Sequence, residues 1–119
     1  MKALFIELPP FSRSRNIYLS EEVFQELQLE MLKNPLAGEV IIGTGGLRKL
    51  RYGDFMRGKG KRGGLRVIYF WLDAKKQFWL FTLYDKDEFA DLTQKDKAAL
   101  KSQLKLELEA RLWPKETYS

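Results

Sequence analysis

The segment Leu65-Arg66-Val67-Ile68-Tyr69-Phe70-Trp71-Leu72 constrains the fold of this chain more than any other stretch. Apart from Arg66 it is a continuous apolar and aromatic run, and a strand of that composition belongs in the middle of a sheet, covered on both faces. A second such run, residues 78–84, follows a short polar connection at 73–77, so the two read as an antiparallel hairpin. Upstream, Gly43, Gly45 and Gly46 break residues 39–50 into a short edge strand, a turn, and a strand over 47–52. Residues 2–8 read as one further short strand, closed by Pro9 and Pro10, which cannot continue a central ladder.

Helical spacing marks the remaining segments. Residues 11–18 are a brief helix candidate. Ser20 with Glu21 and Glu22 is a helix start, since the hydroxyl caps a free N–H and the carboxylates suit the positive end of the dipole. Val23, Leu27 and Met31 then form an apolar stripe that ends near Asn34, because Pro35 disfavours helix in the residue before it. In the last element, residues 94–112, Leu100, Leu104 and Leu108 recur at four-residue spacing; Thr93 or Asp91 can cap its start, and Trp113 with Pro114 marks its end. The expected architecture is an α+β fold, a small antiparallel-dominated sheet with helices packed on one face and the other face left available. At 119 residues the chain forms one domain, residues 1–119, against a prior of roughly 100 to 200 residues per domain.

Composition excludes much chemistry. There is no histidine and no cysteine, so imidazole bases, His-ligated metals, thiol nucleophiles, disulfides and zinc fingers are all out of reach. No metal site and no cofactor is expected. No apolar run suits a signal peptide or a membrane span, and without disulfides a cytoplasmic protein with no membrane partner is the expectation.

The formal charge is +5, and its distribution is uneven. Residues 43–70 carry eight basic residues against Asp54 alone, a local balance of +7, while 71–119 are neutral and 1–42 slightly acidic. A dense positive segment interleaved with strands is the footprint of a polyanion partner, most often a nucleic acid. Strand alternation places Lys49 and Arg51 on one face and Leu50 on the other, with Arg48 on the Leu50 side. Arg66 interrupts a central strand, so it either meets a carboxylate or lines a working surface. Tyr84 and Lys86 leave the neighbouring strand near the same face. Between these strands runs Gly58-Lys59-Gly60-Lys61-Arg62-Gly63-Gly64, which lacks the Gly-Lys-Ser or Gly-Lys-Thr order of a Walker loop and reads as a cationic arm along a phosphate backbone.

The run Gly43-Thr44-Gly45-Gly46-Leu47-Arg48-Lys49-Leu50-Arg51, the Lys/Gly loop, Gly64-Leu65-Arg66-Val67-Ile68-Tyr69-Phe70 and Leu83-Tyr84-Asp85-Lys86-Asp87-Glu88 resemble the RelE superfamily of bacterial toxins, most nearly its HigB-type members. The resemblance spans about residues 1–112 and implies a RelE-like fold and a toxin that cleaves mRNA in the ribosomal A site. The implied partners are the 70S ribosome with its mRNA and a cognate antitoxin, often a helix-turn-helix protein, with operator DNA reached only through the antitoxin complex. Position by position, Lys49 and Arg51 match basic residues of the family's active-site strand, Arg66 the arginine on the scissile phosphate, and Lys86 a basic residue after the last strand. Where some members carry a catalytic tyrosine this chain has Leu92, and Tyr84 is the nearest phenol. Arg48, Arg57, Lys59, Lys61, Arg62 and Tyr52 are expected to bind the RNA.

An enzyme without histidine suits a substrate that brings its own nucleophile, the RNA 2′-hydroxyl. The protein then has to align that hydroxyl, neutralise developing charge and move protons. Arg66 suits the charge, and Lys49 or Lys86 are candidates for the acid or base. Most aromatics, Tyr69 to Trp71 and Phe78 to Phe81 among them, are expected in the core, whereas Tyr52 and Phe55 are candidates for base stacking. The competing readings are a ParE-like gyrase-inhibiting toxin, which usually lacks the basic face, and a non-catalytic nucleic-acid-binding module.

Overall fold

The structure is a computed structural model that describes residues 1–54, 58, 60, 64–88 and 91–112. Strand β1 (Leu4–Glu7) is followed by helices α1 (Pro9–Tyr18) and α2 (Glu21–Lys33), strands β2 (Glu39–Val40), β3 (Arg48–Tyr52), β4 (Leu65–Leu72) and β5 (Gln77–Asp85), and helix α3 (Gln94–Leu112). The strands form one sheet in the order β1-β5-β4-β3-β2, parallel between β1 and β5 and antiparallel at every other step. This is the expected α+β fold with an antiparallel-dominated sheet. Among the described residues no helix is long and apolar enough to cross a membrane.

Local chemistry sets the element ends. Proline at the first turn of α1 sacrifices no helical bond. Ser20 caps α2 by accepting from the Val23 N–H at 3.2 Å. At α3, Thr93 and Asp96 cap each other's backbone: the Asp96 N–H donates to Thr93 Oγ1 at 3.1 Å and the Thr93 N–H to Asp96 Oδ2 at 2.9 Å. The turn into β3 uses Gly43 and Gly46 at φ of 89° and 127°, a region closed to most side chains. Buried Thr44 pins that turn, its hydroxyl donating to Ile41 O at 2.7 Å and accepting from the Leu47 N–H at 3.2 Å.

The helices divide between the two faces of the sheet. Phe11 and Tyr18 of α1 and Phe24, Leu27 and Met31 of α2 pack with Leu50, Leu65, Val67, Tyr69, Phe78, Leu80 and Leu83. Leu100 and Leu104 of α3 pack on the opposite face with Ile68, Trp79 and Phe81. The expectation of helices on one face is therefore corrected. The physical reason lies in β4 itself: apolar residues at both parities leave two greasy faces, and each needs a cover. On that face Ile68, Phe70 and Leu72 occupy one end of β4 and Arg66 the other.

Candidate functional site

The end of the α3 face beyond Ile68, Phe70 and Leu72 carries the basic residues. Leu50 and Tyr52 turn into the α1/α2 layer, so alternation sends Lys49 and Arg51 to the opposite side of β3. Arg66 shares that side, since its neighbours Leu65 and Val67 belong to the α1/α2 layer. In the sheet register Arg51 stands opposite Arg66, and Arg66 opposite Tyr84. A β-bulge brings Tyr84 there. Ile68 pairs with Thr82 while Tyr69 pairs with Leu80, which leaves Phe81 as the extra residue. Without it, simple alternation from Leu80 would place Leu83 opposite Arg66 and turn Tyr84 into the other layer.

Two guanidinium groups on directly opposed positions repel, so the arrangement is stabilised by an anion between or beside them. Arg66 is only 3% exposed, with Nη1 donating to Leu65 O at 3.2 Å and Gly64 O at 3.5 Å, while Arg51 opposite is exposed. Asp91 supplies a carboxylate: its Oδ1 lies 3.5 Å from Lys49 Nζ. Burial opposes ionisation of Asp91, but the Lys49 charge, the Leu92 N–H and the Arg66 charge outweigh it and hold the carboxyl below its usual range. Burial, reinforced by the Asp91 charge and only partly offset by Arg66, pushes the Tyr84 phenol up to about 12. The Tyr84 Oη is buried with the Asp91 carboxylate as its neighbour. At neutral pH this phenol keeps its proton, which suits a hydrogen-bond donor and not a base. Lys86 projects into solvent just beyond β5, its N–H donating to Gly64 O at 3.1 Å beside Arg66. Among the described residues no group of three or more acidic side chains could hold a metal ion.

Other expected RNA ligands have different surroundings. Arg48 is turned towards the loop after α2, where Nη1 donates to Gly38 O at 2.8 Å and Leu36 O at 3.2 Å. Tyr52 is 4% exposed in the α1/α2 core, and the expectation that its ring stacks on a base is corrected. The reason is parity: Tyr52 shares the inward side of β3 with Leu50. Arg57, Lys59, Lys61 and Arg62, with Phe55, lie outside the described residues. The sequence marks Asp91 only as a candidate helix cap and carries no signal that makes it the counter-ion of this face; Thr93 takes the capping position instead.

No family model matches the chain. Among solved structures, a mutant of the E. coli toxin RelE in the free state aligns over 83% of this chain and 96% of its own, with a TM-score of 0.52 at 16% identity. The chain has the RelE fold. The isolated E. coli RelE toxin aligns over 86% of this chain and 99% of its own, with a TM-score of 0.50 and 16% identity. The intact E. coli RelBE toxin-antitoxin complex aligns over 71% of this chain and 96% of its own, at a TM-score of 0.49 and 17% identity. The RelE fold implied by the sequence resemblance is thus present, and what its basic face does here has to be argued from this chain's own residues.

Proposed function

We propose that the protein is a toxin of a type II toxin-antitoxin system, a RelE-type endoribonuclease nearest in sequence character to HigB-type members, that cleaves mRNA in the ribosomal A site. The observation that carries the reading is the gathering of Lys49, Arg51, Arg66 and Tyr84 from three adjacent strands onto one end of one sheet face, with Arg51 exposed there and Arg66 buried beside it. Such a face offers what transesterification of RNA needs. The 2′-oxygen attacks the adjacent phosphorus as the bond to the 5′-oxygen breaks, leaving a cyclic phosphate and a new 5′-hydroxyl. One proton leaves the 2′-hydroxyl and one reaches the departing oxygen. Arg66 and Arg51 take the charge that grows on the phosphoryl oxygens, Arg66 with planar donors that stay charged at every working pH. Tyr84 donates a hydrogen bond that orients the phosphate, and Lys49 and Lys86 are the groups assigned to proton transfer. No cofactor enters this scheme. A site of this kind gains from a ribosome that fixes the message in line, since alignment contributes a large share of such a barrier. The partners in this reading are the 70S ribosome with mRNA, and an antitoxin, a helix-turn-helix protein, through which the pair would reach operator DNA.

The test is expression in cells with mapping of mRNA ends during translation. In-frame cuts in translated messages are expected, and Arg66→Ala should reduce them about 100- to 1,000-fold while ribosome binding persists. Because Arg66 is buried, exposed Arg51→Ala is the companion variant, with a smaller loss in the same direction. Growth arrest without such cuts would overturn the reading.

A further inference from the structure

We propose that the cavity between α1, β5 and the start of α3 is a nucleobase subsite that accepts bases bearing an exocyclic amino group and disfavours uracil. The inference rests on the nuclease reading above and concerns what that site selects. The cavity measures about 540 Å³, and its walls include Ile17, Thr82, Tyr84, Asp91, Leu92 and Asp96. That volume falls among cavities of about 300–1,000 Å³ that take small organic ligands, with mostly apolar walls and a few polar groups.

Tyr84 and Asp91 belong both to this cavity and to the basic face. A phosphate held at Arg66 and Lys49 therefore leaves its attached base next to the cavity mouth. Single-stranded RNA is read in this way, by splaying one base away from its neighbours into a pocket. Ile17 is 58% exposed on α1 and offers, with Leu92, an apolar surface for the face of a base.

The polar groups set the preference. Asp96 is fixed by the Thr93 N–H, which donates to its Oδ2 at 2.9 Å, and its exposed carboxylate lines the cavity. Hydrogen bonds from Thr93 hold this carboxyl below its usual range, so it is an acceptor only at neutral pH. An ionised carboxylate accepts from the amino groups of adenine, cytosine or guanine. Uracil has no amino group, and the one donor on its Watson–Crick edge, N3–H, lies between two carbonyl oxygens that an approaching carboxylate repels, so its bond to Asp96 is the weaker one.

Binding can be measured without cleavage. Short RNAs carrying a 2′-deoxy nucleotide at the scissile step, and differing only in that base, are titrated into isotope-labelled protein. The expected result is movement of the Ile17 methyl and Thr82 amide signals with adenine, cytosine and guanine, and an affinity for uracil about fivefold weaker or more. Asp96→Asn, whose amide can donate to a uracil carbonyl while its oxygen still caps Thr93, should shrink that difference to about twofold or less. Ile17→Ala should weaken all four bases alike. Equal affinities for the four bases, or signals that move only around Lys49, Arg51 and Arg66 while in-frame cleavage persists, would overturn the subsite and leave the nuclease reading intact. A chain that neither binds these RNAs nor cuts translated messages would overturn both.

Discussion

Tyr84 joins the two functional arguments, and its titration is a direct measurement of its surroundings. Burial and Asp91 raise this phenol to about 12, and burial also raises Tyr52 and Tyr69. A raised folded-state value means that the native protein holds a proton the unfolded chain releases near pH 10, so this stability is complete below that pH and is lost as pH climbs towards about 12. Ultraviolet titration should show a late-titrating tyrosine that Tyr84→Phe removes. Asp91 works in the opposite sense: its depressed carboxyl supports the Lys49 pair at neutral pH, and that support fades as pH falls below the ordinary carboxylate range. The two arginines of β3 should also separate cleanly. Arg48→Ala breaks bonds to the Leu36 and Gly38 carbonyls and should lower stability by about 1 kcal/mol in denaturant unfolding with little effect on RNA affinity. Arg51→Ala should do the reverse.

At the scale of elements, the covers and the bulge decide what the sheet can present. Helix α3 is held at its start by the Thr93–Asp96 exchange, and Thr93→Ala should cost about 1 kcal/mol of unfolding free energy. Leu104→Ala, at the contact of α3 with Ile68 and Trp79, should cost about 2–5 kcal/mol. Both are read by thermal or denaturant unfolding. The bounds of β4 and α3 were legible from local pattern, an apolar run interrupted only by Arg66 in one and leucines at four-residue spacing in the other. The placement of α3 was legible in principle, because β4 is apolar at both parities and cannot leave a face bare. The bulge at Phe81 was not legible: nothing in Phe-Trp-Leu-Phe-Thr-Leu-Tyr announces an extra residue, and only pairing with β4 reveals it.

For the whole molecule, affinity for RNA should track salt. If Lys49, Arg51 and Arg66 each neutralise one phosphate, the logarithm of the binding constant falls with the logarithm of salt at a slope of about −2, and Arg51→Ala flattens it by roughly 0.7. Filter binding or fluorescence anisotropy across a salt series measures both. The basic segment between residues 43 and 70 was visible as a count, yet the fold distributes it: Lys49, Arg51 and Arg66 share one face, while Arg48 is turned to a loop. Taken by itself, the sequence determined the elements, the α+β class, the shared side of Lys49 and Arg51 and the exclusion of His and Cys chemistry, because composition and periodicity are local properties. Tertiary structure alone decided that Tyr84 meets Arg66, that Asp91 reaches Lys49, that Tyr52 is buried and that a cavity opens beside the basic face. Each of these depends on strand register and on which helix covers which face, and those are set by packing between segments far apart in the chain.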